Sequence, residues 1–159
     1  MGDRADRPGH LARRFQQIAV AVFHAEVSAA GSDLTPVQYA ALAEVAADPG
    51  LDQATLAGRI ALDRATITGV VDRLEKKRLM TREVAEGDRR ARVLRITDAG
   101  SDELRRIEPA VEATQRIVLG GLDEGEAAEL VRLLAKAVAA SNDLSRAPSR
   151  GSAASSPAG

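Results

Sequence analysis

The 159-residue chain has no cysteine and no tryptophan, and only two histidines, two phenylalanines and one tyrosine. Without cysteine there is no disulfide, no thiolate metal ligand, no thiol nucleophile and no thiol-based peroxide sensing. His10 and His24 are too few for a dedicated zinc site, so no metal or cofactor is expected. No serine–histidine–aspartate spacing and no glycine-rich phosphate loop occurs, so the chain does not read as an enzyme. Apolar runs fall far short of the roughly 18 residues of a spanning helix. Residues 1–9 are polar and hold no apolar stretch of a secretory signal. These absences predict a soluble, cytoplasmic protein.

Net charge is nearly absent as well: 22 basic against 23 acidic side chains leave −1. A nucleic-acid partner usually goes with a basic footprint, so the total points away from one. The distribution points the other way. Residues 59–95 carry 11 basic and 6 acidic side chains, net +5, and the rest of the chain is net −6. Phosphates are neutralised locally, so the +5 segment is the relevant quantity.

What the chain does contain is alanine, with leucine, valine and isoleucine supplying bulk, and this favours closely packed helices. Capping chemistry marks where they start. Thr35-Pro36-Val37-Gln38 combines an N-cap hydroxyl, proline at the first helical position and glutamine at the capping-box spacing. Asp52, Asp63 and the pair Asp123/Glu126 signal three more starts. The pattern predicts helices over 9–30, 36–48, 53–60, 64–78, 98–119 and 124–142, with Pro109 kinking or splitting the fifth. Between the fourth and fifth, 80–85 and 91–96 read as strands around a turn at 86–89. Residues 145–159 have no side chain able to anchor a core and predict a disordered tail.

Residues 53–78 hold a short helix, a tight link at Ala61-Leu62-Asp63 and a longer helix. On the second, Ile67, Val70, Val71 and Leu74 form one apolar stripe. The other face carries Ala65, Gly69, Asp72 and Lys76, flanked by Thr66, Thr68 and Arg73. Small residues let a backbone approach a groove, and the hydroxyls and the guanidinium suit phosphates and base edges. The pair reads as a helix-turn-helix, with the second helix entering the major groove. The hairpin that follows carries Asp88-Arg89-Arg90-Ala91-Arg92 beside its turn, well placed for a minor groove, with Asp88 expected to pair with Arg90. Helix-turn-helix plus arginine-tipped hairpin is a winged helix. The candidate DNA contacts are Gln53, Arg64, Thr66, Thr68, Arg73, Arg89, Arg90 and Arg92.

Leu34-Thr35-Pro36-Val37-Gln38-Tyr39, Asp63 through Thr68, Val71 through Glu75, and Asp88-Arg89-Arg90 continuing to Ile96-Thr97 together resemble the MarR family of bacterial transcription regulators. The resemblance covers about residues 10–142. It implies a mainly α fold with a small β-hairpin wing and with N- and C-terminal dimerisation helices. Residues 1–144 are then one domain, with the reading module at 34–98, dimerisation helices at 9–30 and 98–144, and the tail at 145–159. It further implies a homodimer on a pseudo-palindromic operator, usually a repressor released by a small phenolic or anionic ligand. By position, Thr66, Thr68 and Arg73 would touch DNA and Arg90 would enter the minor groove. Gly69 departs from the family, where many members have a large polar residue, which shifts readout toward Arg64, the threonines and DNA shape.

Three apolar stripes support a dimer directly: Leu11, Phe15, Ile18 and Val22; Leu104, Ile107, Val111 and Val118; Leu130, Leu133, Leu134 and Val138. They lie outside the reading module and need a partner surface. On the other face of the first helix, His10, Arg13, Gln17, Val20 and His24 align, and all three aromatics lie within the first 39 residues. Arginine offers a planar fork to a carboxylate, and rings can hold an aromatic body. Residues 7–17 resemble the first helix of a MarR subgroup responsive to protocatechuate- or benzoate-type acids, in which Arg13 would engage the carboxylate. The candidate ligand residues are Arg13, His10, Gln17 and Tyr39. The other reading is a constitutive winged-helix DNA-binding protein with no small-molecule ligand.

Overall fold

The computed structural model describes residues 7–145 and 147–150. The chain runs α1 (Pro8–Ala29), α2 (Pro36–Ala47), α3 (Gln53–Arg59), α4 (Arg64–Lys76), β1 (Met80–Ala85), β2 (Asp88–Ile96), α5 (Asp98–Val118) and α6 (Glu124–Ser141), closed by a 3₁₀ turn at Asn142–Leu144. Every helix start predicted from capping residues falls within one residue of its expected place. The Thr35 hydroxyl accepts from the Gln38 N–H at 3.2 Å while the Gln38 amide oxygen accepts from the Thr35 N–H at 3.2 Å. Asp123 and Glu126 exchange the same pair of bonds at the start of α6. Asp52 and Asp63 cap α3 and α4, and Thr97 caps α5.

Two expectations change. Pro109 neither ends nor splits α5, which is continuous. The ring removes one hydrogen bond to the carbonyl four residues back, but Arg105 and Pro109 are both exposed, so water can serve that carbonyl. The tail expected from 145 onward is also partly placed. Residues 147–150 lie against α3, where the Arg150 N–H donates to the Gly58 carbonyl at 2.6 Å. Residues 146 and 151–159 lie outside the described residues.

The core gathers Leu42 and Val45 of α2, Leu56 of α3, Ile67, Val71 and Leu74 of α4, Leu94 of β2 and Ile107 of α5. All four residues of the predicted α4 stripe are buried. The wing is joined to this core on both edges. β1 pairs antiparallel with β2, from Met80↔Ile96 to Val84↔Arg92. On the far edge, Gly50 and Leu51 exchange backbone bonds of 2.9 Å with Leu94. Gly100 packs so close to β1 that an added Cβ would lie 2.2 Å from the Leu79 carbonyl oxygen.

The apolar stripes divide. Ile107 is fully buried in its own chain, and Leu104 and Val111 pack against the same core, so most of the α5 stripe serves the monomer. The other two stay open. Leu11 is 53% exposed, Ile18 48% and Val138 65%, and α6 has no buried residue among those described. Leu11, Phe15 and Ile18 of α1 face Leu130 and Leu134 of α6 across an apolar groove of about 430 Å³.

Candidate nucleic-acid interface

The link between α3 and α4 is tight enough to force Ala61 into the left-handed region, at φ 54°. This sets the two helices as a helix-turn-helix, with the start of α4 projecting. Arg64, Thr66 and Thr68 are exposed there and Arg73 is exposed in the last turn of α4, while Gln53 is half-buried beside Thr68. A shallow cleft of about 280 Å³ between α3 and α4 is lined by Gln53, Ala54, Arg64, Ile67 and Thr68. Among the described residues, only the Arg73 side chain, at 3.9 Å, comes within 4 Å of where a Cβ on Gly69 would be, so the middle of this face is open.

The hydroxyls are more committed than expected. The Thr68 hydroxyl donates to the Arg64 carbonyl at 2.8 Å and accepts from the Gln53 amide at 2.8 Å. The Thr66 hydroxyl donates to Asp63 at 2.8 Å, within the cap. Both threonines and Gln53 therefore fix the shape of the surface, and the cations project from it. Asp63 carries its charge firmly: bonds from the Thr66 N–H and hydroxyl hold its carboxyl below the usual carboxylate range. Asp52 is lowered in the same way by the Thr55 N–H.

On the wing, the turn is Glu86-Gly87, with Gly87 at φ 81°. Register slips between Val84, paired with Arg92, and Ala85, paired with Asp88. Arg89, Arg90 and Ala91 thus bulge out of the ladder instead of forming its regular end, and a bulge re-aims side chains. Asp88 accepts from the backbone N–H of Arg90 at 2.9 Å, in place of the expected bond to its guanidinium. The Arg92 guanidinium folds onto the carbonyls of Arg89 at 3.1 Å and Ala91 at 3.4 Å. It braces the bulge from which Arg89 and Arg90 project.

The arginines of the basic segment sort into two kinds. Arg59 is paired with Asp48 at 2.6 Å and Glu44 at 3.5 Å, and Arg95 with Glu83 at 3.0 Å. Arg82 binds Asp72 at 2.7 Å and Glu75, and reaches Gln53 at 3.3 Å. No ion pair among the described residues includes Arg64, Arg73, Arg89, Arg90 or Arg92. Arg59, Arg82 and Arg95 are neutralised by carboxylates, whereas Arg64, Arg73, Arg89 and Arg90, together with Arg78 and the bracing Arg92, have no carboxylate partner among the described residues. Arg82 escaped the sequence reading, because three partners on two helices have no local signature.

At the other end of the chain, Arg13 donates to Gln17 at 3.1 Å, and both are exposed with His10 on α1. Tyr39 does not join them. It stacks at 55° on Phe23, with ring centroids 6.0 Å apart, and Phe23 meets His24 edge-on. Ten residues of helix separate Arg13 from Phe23, about 15 Å at the ordinary rise. Burial raises the Tyr39 hydroxyl above its usual pKa, and neighbouring Glu108 adds to this. The aromatics are close in sequence but not grouped about Arg13. Among the described residues there is no metal-binding cluster and no helix long and apolar enough to cross a membrane.

The sequence pattern of the MarR family matches residues 34–91. The HTH-type transcriptional repressor NicR of Pseudomonas putida is 30% identical over 136 residues, covering 86% of this chain and 85% of that protein. Among solved structures, the PcaV transcriptional regulator of Streptomyces coelicolor, in complex with its natural ligand, aligns with a TM-score of 0.80 at 36% identity. That alignment covers 89% of this chain and 98% of PcaV. BpsR of Bordetella bronchiseptica, whose DNA binding is regulated by 6-hydroxynicotinic acid, aligns with a TM-score of 0.79 at 28% identity, over 86% and 96% of the two chains.

Proposed function

The chain belongs to the MarR family of transcription regulators, and on that premise we propose that it is a homodimeric repressor released from a pseudo-palindromic operator by a small aromatic carboxylate or phenol. It acts in the cytoplasm, where such an operator lies. The sorting of arginines carries the DNA half of this reading. Arg64 and Arg73 on α4, and Arg89 and Arg90 on the bulged wing, have no carboxylate partner among the described residues and project from one module. Gln53, Thr66, Thr68 and Arg92 hold that surface in shape. Two copies would present two α4 helices to half-sites about one helical turn apart.

The ligand half rests on Arg13. Its only side-chain partner among the described residues is the neutral amide of Gln17, so its fork is open to a carboxylate, with His10 one helical turn away. NicR is a repressor, and BpsR answers to an aromatic acid. A carboxylate held at α1, between the dimerisation helices and the reading module, shifts the spacing of the two α4 helices. It does so only through its differential affinity for the two arrangements, typically ~1–3 kcal/mol.

The test is a titration of duplexes selected from random sequence by the protein, at two salt concentrations, with a panel of benzoic acids and phenols. Affinity should fall by on the order of a thousandfold between 50 and 200 mM salt. An aromatic acid should weaken it further and raise the melting temperature of the free protein. Arg13→Ala should keep DNA affinity and lose the ligand response. Salt-independent binding would sink the DNA reading, and wild-type ligand sensitivity in Arg13→Ala would sink the site.

A further inference from the structure

The segment after α6 returns to the helix-turn-helix. Asn142 clamps Ser149 from both sides: its amide oxygen accepts from the Ser149 N–H at 2.8 Å and its amide nitrogen donates to the Ser149 carbonyl at 3.0 Å. The Ser149 hydroxyl then donates to the Arg59 carbonyl at 3.2 Å, and the Arg150 N–H to the Gly58 carbonyl at 2.6 Å. Two carbonyls at the C-terminal end of α3 thereby gain donors, as helix ends require. Gly58 is what makes room. A Cβ there would stand 3.2 Å from the Arg150 Cβ.

This docking uses main chain and hydroxyl, so the Arg150 charge is not spent on it. Arg150 lines a groove of about 310 Å³ together with Asp63 and Arg64, at the start of α4. Asp63 is already committed to the Thr66 N–H and hydroxyl. No ion pair among the described residues includes Arg150. Two arginines and one aspartate line this groove, so its charged residues sum to +1. In a helix-turn-helix the first helix crosses the phosphate backbone while the start of the second meets base edges. A backbone phosphate is the anion that a cation beside the first helix would meet.

We propose that Arg150, held over Gly58 by the Asn142–Ser149 clamp, is an additional phosphate contact that extends the reading surface from the far end of the chain. The inference rests on the DNA-binding reading above. One phosphate per protomer means two per dimer.

The test uses the full-length protein and a duplex selected by it. In the plot of log affinity against log salt, Arg150→Ala should be shallower than wild type by about 1.8, from about 0.9 for each phosphate lost. Deletion of 147–159 removes no other charged side chain and should match it. Arg150→Lys should restore the slope, and Asn142→Ala should reduce it while leaving the arginine in place. Melting temperatures report whether each variant still folds. An unchanged slope in Arg150→Ala and in the deletion, with wild type still steep, overturns the inference and leaves the DNA reading standing. Tighter binding by the deletion also overturns it, since the segment would then cover the DNA face. A flat slope in wild type fails the DNA reading itself.

Discussion

Arg82 and Arg90 lie eight positions apart in the same hairpin and have opposite roles. Arg82 ties Asp72 and Glu75 of α4 to β1 and touches Gln53 of α3. Arg90 projects from a bulge, and no ion pair among the described residues includes its guanidinium. Arg82→Ala should cost about 1–2 kcal/mol of stability after allowance for solvent screening, measured by urea denaturation. Arg90→Ala should leave stability unchanged and weaken DNA binding by roughly tenfold, most at A·T-rich flanks. Equal stability loss in both would contradict the sorting of arginines. Two glycines make a second contrast. Gly100→Ala drives a methyl into the Leu79 carbonyl, 2.2 Å from its oxygen, and should destabilise by about 1–3 kcal/mol. Gly69→Ala makes only an ordinary contact, 3.9 Å from the Arg73 guanidinium, and should stabilise α4 by about 0.5–1 kcal/mol. Denaturation midpoints check both.

At the scale of the element, α3 and α4 each start on an aspartate whose carboxylate accepts a backbone N–H. Both carboxyls are held below their ordinary value, chiefly by the Thr55 N–H at Asp52 and the Thr66 N–H at Asp63. A native pKa below the unfolded one adds stability that is fully present above the unfolded value and is lost as pH falls through the native value. Stability should therefore drop below about pH 4. Asn is also a good N-cap but does not titrate, so Asp52→Asn with Asp63→Asn should flatten the acid limb of a pH–denaturation curve. An unaltered limb would mean that other carboxylates govern it. These starts were legible in the sequence because capping acts across three residues. The wing was legible as a hairpin, but its slip was not: where pairing resumes depends on how β2 is held at Leu94 by Gly50 and Leu51, more than 40 positions upstream.

For the whole molecule, the stripes on α1 and α6 are an apolar surface left open by the single chain. They predict that Leu134→Asp, placed in the apolar groove facing Leu11 and Phe15, yields a folded monomer. Sedimentation should show half the mass, helicity by circular dichroism should be largely kept, and operator affinity should fall because the two half-sites are no longer bound together. A variant that stays dimeric would place the interface elsewhere. The α5 stripe shows where periodicity stops being informative. Leu104, Ile107 and Val111 recur at helical spacing as the stripes on α1 and α6 do, yet they close the monomer core. A helix face records that something covers it, and says nothing about which chain does.

The sequence by itself determined the family, the helix starts, the hairpin, the buried stripe of α4 and the concentration of positive charge in residues 59–95. Each of these is local chemistry or a regular period, fixed within a few residues. Tertiary structure alone decided which cations are free. Whether an arginine is neutralised depends on carboxylates brought to it from other elements, as Asp72 and Glu75 are to Arg82. It also decided that Tyr39 stands with Phe23 and apart from Arg13, and that Arg150 rests beside Arg64. Distances between segments arise only when the shared core sets the helices against one another.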